Sequence, residues 1–515
     1  MARSAEQVRP AIRLIPPAIS LATMITLRCW PDLLGSSPRT FFYPCPLGAP
    51  ACLGLAWATL IIALCCFGIM ALHERWPGPA LSRVALVVLI VLGLSGLGRG
   101  LNLDPLRVFL SRYPGWLVRA AVALAALAAF SFSFQHTRRV YPVFKGFLWI
   151  FLALGPILWF SAARAFWTAR PIAGEPAPAR AGRAPGTTWV LVFDEMDYRT
   201  IFQDRPASLA MPVMDSLAAG GIFAPNCLSP TSETSSAIAT LLRGETVIRL
   251  LVRGFARATL MHRNGALEGW GGENTLFSDW KRDGGSTTVV GWYYPYGPLC
   301  GRDVDQVFPF EFMTSFRRLS YLSTGAALAA HLKEAVTLPG LSFWRQPPYD
   351  SGEQLATYRA LEARLEAVMA ERRNDLVYVH MPIPHFPALP AARGRYVGNM
   401  REVDAFLGRF RATLQRSGRW SGDTVLILAD HGLRNTPYYK GTPWLDEVDA
   451  FTREWDFRVP FILKLPGQTR GLRHDGPFDL AYVRKLLVYL HGHPQAGPAD
   501  VSAAMTAIAD QSSGG

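Results

Sequence analysis

The chain is poor in cysteine and in acidic charge, and both shortages narrow what it can be. Its 515 residues hold seven cysteines. None forms a Cys-x-x-Cys pair, which excludes a disulfide scaffold and argues against a structural zinc clip. Cys65 and Cys66 fall in an apolar run, whereas Cys227 and Cys300 fall in the more polar half, where their spacing leaves pairing open. Acids number 39 against 52 Lys and Arg, a formal charge of +13. No basic-aromatic motif accompanies that excess, so no nucleic-acid partner is expected. Much of it is Arg beside apolar segments, a membrane topology signal that also suits anionic lipid head groups. No internal repeat is visible. No early apolar core with a small-residue cleavage site stands out, so a cleaved signal peptide is not expected. The apolar runs lack acids and paired interruptions, which argues against a transporter.

What is abundant is apolar residues, half of the chain, concentrated in the first third. A membrane span needs about 20 mostly apolar residues. Four segments meet this, at 50–72, 84–101, 116–134 and 146–166, and a fifth at 12–30 is interrupted by Pro16, Pro17 and Arg28. Charge favours counting all five. A cytoplasmic N-terminus then keeps Arg3, Arg9, Arg13, Arg138, Arg139 and Lys145 inside, while the first outer loop carries only Arg39 against Asp32. That arrangement sends the C-terminal part out of the cytoplasm. The expected organisation is a transmembrane region of about five helices over 1–168, a Pro/Ala/Gly-rich linker over 169–187, a soluble domain over 188–495 and a flexible tail over 496–515. A short interfacial helix or an ordinary loop fits 102–115 equally.

The soluble half alternates strand-like and helix-like stretches. TWVLVF (188–193), TTVVGW (287–292), DLVYVH (375–380), DTVLILA (423–429) and VPFILKL (459–465) read as buried strands. Leu355, Tyr358, Leu361, Leu365 and Val368 repeat at helical spacing, as do Val403, Phe406, Leu407, Phe410 and Leu414. This is an α/β domain with a mostly parallel central sheet. Sites on such sheets lie beyond the carboxyl ends of strands.

Chemically capable residues stand at those ends. The first strand runs into Asp194, Glu195 and Asp197, and the fourth into Asp430, His431 and Gly432. Carboxylates with an imidazole suit zinc or manganese. Between them, SPTSETSSAIATLLRG (229–244) passes from a polar loop into a helix near Thr234. A hydroxyl there meets free N–H groups and the positive end of the helix dipole, which favour an alkoxide and a bound anion. The plainer role for Ser232 or Thr234 is to cap the helix.

Taken in order, VLVFDE, a hydroxyl ten residues before the Gly of LLRG, LILADHG and RVPFILKLPG resemble the alkaline phosphatase/sulfatase superfamily over about 187–490. YVGNMREVDAFLG, with Asp404, resembles the family helix before the DHG strand. The resemblance makes Thr234 the nucleophile and Asp430 and His431 metal ligands, with Asp194 or Glu195 as the acidic ligand of the first strand. His385, in HMPIPHFP, matches a histidine near the substrate or a second metal, and His380 is expected to be a buried strand residue. Lys440, in YYKGTPW, resembles a lysine that meets the anionic substrate.

A sulfatase makes its formylglycine within (C/S)xPxR, and this chain has TSSAI at that place. A threonine nucleophile behind five spans resembles the membrane phosphoethanolamine transferases and lipoteichoic acid synthases. The resemblance implies a divalent metal, zinc or manganese first and calcium or magnesium after them. It implies a membrane phospholipid or other lipid-linked donor, a cell-envelope acceptor, and a multi-pass protein of the bacterial inner membrane with an extracytoplasmic catalytic domain. Hydrolysis by a membrane-anchored phosphodiesterase, phosphatase or sulfatase is the alternative, and a non-catalytic domain of a membrane assembly the second.

Overall fold

The computed structural model describes residues 12–30, 49–77, 80–100, 131–132, 134–168, 186–254, 257–300, 302–310, 323–336, 351–371, 374–385, 389, 395–434, 446–447 and 456–513. They fall into two compact units. The expected linker up to residue 185, the 102–115 segment, most of the 116–134 span and Lys440 lie outside the described residues.

The first unit is helical: Ile15–Thr26, Ala49–Arg75, Ala80–Gly100, Thr137–Ile150 and Leu154–Thr168. Among the described residues, two helices are long and apolar enough to cross a membrane, Cys52–Arg75 and Thr137–Ser161. The apolar helices Ile15–Thr26 and Ala80–Leu94 are shorter. Pro16 and Pro17 do not break the first of these; they sit in its opening turn, where a missing N–H costs nothing. Leu21, Met24, Ile25, Cys66, Leu89 and Phe144 form the buried centre of the bundle.

The helix Thr324–Val336 also belongs to this unit, although it lies within the stretch expected to be soluble domain. It packs on Ala49–Arg75. A Cβ on Gly54 would stand 2.6 Å from the Ala327 Cβ, so this approach needs glycine. Small residues are what let two helix backbones come so close.

The second unit is the α/β domain. Its main sheet contains β1 (Thr188–Asp194), β2 (Ile222–Phe223), β3 (Thr287–Trp292), β4 (Gln306–Phe310), β5 (Leu376–Pro384), β6 (Thr424–Ala429), β7 (Phe461–Lys464) and β8 (Leu472–Arg473). The order is β8-β2-β7-β6-β1-β5-β3-β4. The run from β6 to β4 is parallel, whereas β7 pairs antiparallel with β6 and β2. Apolar residues on both faces of β1 explain its central place. Helix Tyr396–Arg416 lays Phe406 edge-on to Phe193 and Phe410 edge-on to Trp189, at 5.7 and 5.5 Å between ring centroids. Each such buried ring is worth about 3–5 kcal/mol against alanine, enough to hold that helix over the strand that carries Asp194. Asp404, on the same helix, accepts the Met214 N–H at 2.8 Å and so caps helix Pro212–Gly220.

A smaller antiparallel sheet, Val247–Gly254, Arg257–His262 and Leu267–Trp270, was not foreseen in the sequence. The expected flexible tail is corrected: Pro498–Ser513 is a helix, packed on helix Leu480–Gly492. Val501, Met505 and Ala509, one helical turn apart, bury the face that anchors it. Cys227 and Cys300 are buried and free.

Candidate active site

Register builds the site. Phe193 of β1 pairs with Ala429 of β6, so the residues that follow, Asp194 and Asp430, leave adjacent strands side by side. On the other flank Phe193 pairs with Met381 but Asp194 pairs with Pro384. This irregularity in β5 carries His385 to the end of β1, the re-aiming that bulges perform. Glu195 then adopts a left-handed backbone, φ 66°. Its N–H donates to Asp430 Oδ1 (3.1 Å) and its carbonyl accepts from the Tyr396 hydroxyl (2.6 Å), which holds the strained residue in place.

Thr234 opens the helix Thr234–Arg243, whose N-cap is Glu233 without a side-chain bond. Gly244 ends it with φ 73°, the left-handed turn that favours glycine. The Thr234 hydroxyl does not cap the helix. It lies 3.1 Å from His431 Nε2 and 3.4 Å from Asp194 Oδ1. His431 Nε2 is in turn 3.6 Å from Asp194 Oδ1 and 3.4 Å from Asp430 Oδ2. His431 Nδ1 is 2.7 Å from the Gly432 carbonyl; an oxygen that only accepts places the proton on Nδ1 and the lone pair on Nε2.

This donor set fits a divalent cation. Asp194, Asp430 and His431 are all buried and offer ligand atoms within 4.8 Å of one another. Donors about 2.0–2.2 Å from a tetrahedral ion stand about 3.3–3.6 Å apart, which matches three of the four separations above; the Thr234–His431 distance, 3.1 Å, is shorter. Asp194 Oδ2 and Asp430 Oδ2 are buried without a hydrogen-bond partner, an unfavourable state unless a cation or its ligand water meets them. Burial, then the charge of Asp430, pushes the Asp194 carboxyl well above its ordinary range. Burial raises Asp430 to about 7 against the Glu195 amide and the Arg434 guanidinium, which pull it down. Burial and the Arg434 charge drive His431 well below its usual value, so its imidazole is neutral. Two reluctant carboxylates and a neutral imidazole bring no positive charge of their own, and the Arg434 guanidinium, 3.0 Å from His431 Nε2, is the cation beside them.

The other expected residues are placed as follows. His385 is buried, with Nε2 at 3.9 Å from Glu195 Oε2 and its ring 5.3 Å from Trp292. His380 is the buried strand residue foreseen; its Nδ1 meets the Tyr296 hydroxyl at 3.0 Å, and burial lowers its pKa to about 3. Asp197 accepts from Thr200 N–H and Oγ1 and closes a turn. The sequence reading passed over Arg434, whose guanidinium reaches Glu195, Thr234 and His431. Its position three residues after the histidine of ADHG was the available signal.

A mostly parallel sheet thus gathers two aspartates, a histidine and a helix-borne hydroxyl at its strand ends. Residues 331–483 match the Sulfatase family. No curated protein matches the chain. Among solved structures it is similar to the phosphonate monoester hydrolase of Agrobacterium radiobacter, at 15% identity over 60% of this chain and 74% of that one, TM-score 0.38. It is similar to lipoteichoic acid synthase LtaP from Listeria monocytogenes, at 11% identity over 63% and 79%, TM-score 0.36. A sulfatase from Pseudoalteromonas sp. gives 15% identity over 61% and 69%, TM-score 0.40.

Proposed function

We propose that this chain is a membrane-anchored, metal-dependent transferase that moves a phosphoryl-linked head group from a phospholipid to a cell-envelope acceptor by way of Thr234. One observation carries the reading: the Thr234 hydroxyl turns away from helix capping and into the Asp194–His431 cluster. The TSSAI stretch, which lacks the (C/S)xPxR pattern, supports phosphoryl over sulfuryl chemistry. The apolar helices Cys52–Arg75 and Thr137–Ser161 support a membrane anchor, and the Arg distribution supports five spans in the inner membrane with the catalytic domain outside. A membrane-held enzyme gains proximity to a lipid head group.

Asp194, Asp430, His431 and the Thr234 oxygen would hold the metal, zinc or manganese by donor type. Bound there, it would lower the pKa of the hydroxyl and offset charge on the phosphoryl oxygens. Thr234 Oγ gives up its proton to solvent, to be regained from solvent when the hydroxyl is restored, and bonds to phosphorus as the bond to the diacylglycerol oxygen breaks. The N-terminal N–H groups of helix Thr234–Arg243 face the resulting negative charge. His385 would hand a proton to the departing oxygen and then take one from the acceptor hydroxyl. The acceptor oxygen bonds to phosphorus, the Thr234–phosphorus bond breaks, and the hydroxyl is restored.

The test is intact and peptide mass of the full-length protein in detergent after exposure to phospholipid with a labelled head group. A phosphoryl-linked adduct on Thr234 that passes only to an added acceptor supports transfer. An adduct that water removes equally fast makes the protein a hydrolase, and no adduct with bound metal present removes the threonine-nucleophile reading.

A further inference from the structure

His385 projects from the end of β5, where the regular ladder has stopped. The pairing with β3 ends at His380, and that with β1 skips from Met381 to Pro384. Backbone groups past that point need partners from outside the sheet. Two side-chain amides supply them, from two helices packed on β5. Gln354, on helix Ser351–Ala370, donates from Nε2 to the Pro382 carbonyl at 2.8 Å. Asn399, on helix Tyr396–Arg416, donates from Nδ2 to the Pro384 carbonyl at 3.1 Å and to the His385 carbonyl at 3.3 Å.

Asn399 also uses the other end of its amide. Its Oδ1 accepts the Leu389 N–H at 2.9 Å, so one side chain holds the backbone on both sides of residues 386–388. Asn399 and Leu389 are both buried. Two donated bonds and one accepted bond are what an amide can give; a hydroxyl has one donor and an ionised carboxylate none. The His385 ring is held in turn, 5.3 Å from the Trp292 ring, with Nε2 at 3.9 Å from Glu195 Oε2. Backbone and ring are thus fixed separately, and the imidazole is delivered to the residue that follows β1.

We infer that Asn399 is the positioning residue of His385: its amide fixes the backbone from which the imidazole reaches the reacting oxygens. The inference rests on His385 as the group that gives a proton to the departing oxygen and recovers one from the acceptor hydroxyl. All three Asn399 bonds are to main-chain atoms, so it acts through His385 and not on the substrate. Such a role is worth a good deal of rate, because a displacement of about 1 Å in a reacting group can cost about 100-fold.

The test compares two donors on the full-length protein in detergent, with bound metal measured by elemental mass spectrometry. Phosphatidylglycerol in mixed micelles loses a diacylglycerol oxygen, a poor leaving group that needs the proton. Bis(p-nitrophenyl) phosphate loses p-nitrophenolate, a good one that does not. Asn399→Asp keeps the size and the accepted bond but cannot donate to two carbonyls, and Asn399→Leu removes all three bonds. Both should slow diacylglycerol release about 10- to 100-fold and leave nitrophenolate release and metal content near wild type. His385→Ala should show the same split between donors, and adding Asn399→Leu to it should slow diacylglycerol release no further. Asp404→Ala, on the same helix, should change both rates in equal proportion. Amide hydrogen exchange over residues 381–389 needs no turnover and should be faster in both Asn399 variants. Equal slowing of the two donors by the Asn399 variants, with the split present in His385→Ala, overturns the assignment of Asn399. Wild-type exchange over 381–389 in both variants overturns it too. Absence of the split in His385→Ala is the distinct result that removes His385 as the proton donor, and the inference with it.

Discussion

Thr234 Oγ1 lies 3.1 Å from His431 Nε2, across 197 residues of sequence. The contact joins the first residue of a helix to the turn after a strand, and neither residue meets it through local geometry. Thr234→Ala should abolish adduct formation and lower turnover by about four orders of magnitude or more, the scale seen when a nucleophile is deleted. Thr234→Ser keeps the oxygen and should retain measurable activity. Equal turnover in wild type and the alanine variant would remove Thr234 from the mechanism.

Chelation should destabilise the domain. A cation held by Asp194, Asp430 and His431 binds the folded state, and at about 1,000 times its dissociation constant it adds about 4 kcal/mol. Thermal unfolding in detergent should therefore shift downward with EDTA and recover with zinc or manganese. Asp430→Asn should show neither response. Identical midpoints with and without chelator in the wild type would count against the metal site.

His380 gives a pH dependence that is separate from the cluster. Burial holds its folded pKa at about 3 against an ordinary 6.5. A depressed histidine pKa means that the unfolded chain binds the extra proton first. Its contribution to stability is complete above about pH 6.5 and is lost as pH falls toward 3. Between pH 7 and pH 4 this amounts to roughly 3 kcal/mol. His380→Gln should lose less stability than the wild type over that interval, measured by urea unfolding at both pH values. Parallel losses would show that other groups carry the acid response.

Asp404 separates a structural acid from the site acids. Its carboxylate accepts the N–H groups of Met214 and Val213 at a helix start. Asp404→Ala should lower stability by about 1–3 kcal/mol and leave the formation of the Thr234 adduct intact. Loss of the adduct in a folded Asp404→Ala protein would place that helix in the catalytic machinery.

Strand and helix positions were legible where the pattern is local. TTVVGW is a strand over the residues expected, and the stripe from Val403 to Leu414 is the buried face of a helix. Asp194, Asp430 and His431 stood out because they come directly after apolar runs, and the structure brings their side chains within 4.8 Å of one another. Other features had no such signature. Pro498–Ser513 is short and mixed in composition, and only its contact with the preceding helix makes Val501 and Met505 core residues.

By itself the sequence determined the α/β alternation, the apolar helices and the candidate donors, because side-chain periodicity and strand-end chemistry are properties of neighbours along the chain. Tertiary structure decided which donors meet. The irregular pairing at Asp194 and Pro384 brings His385 to Glu195, and the loop after β6 returns Arg434 to Thr234. It also decided that Asp194 faces the imidazole and Glu195 the guanidinium, a choice that two consecutive acids leave open until a backbone turn at φ 66° separates their directions.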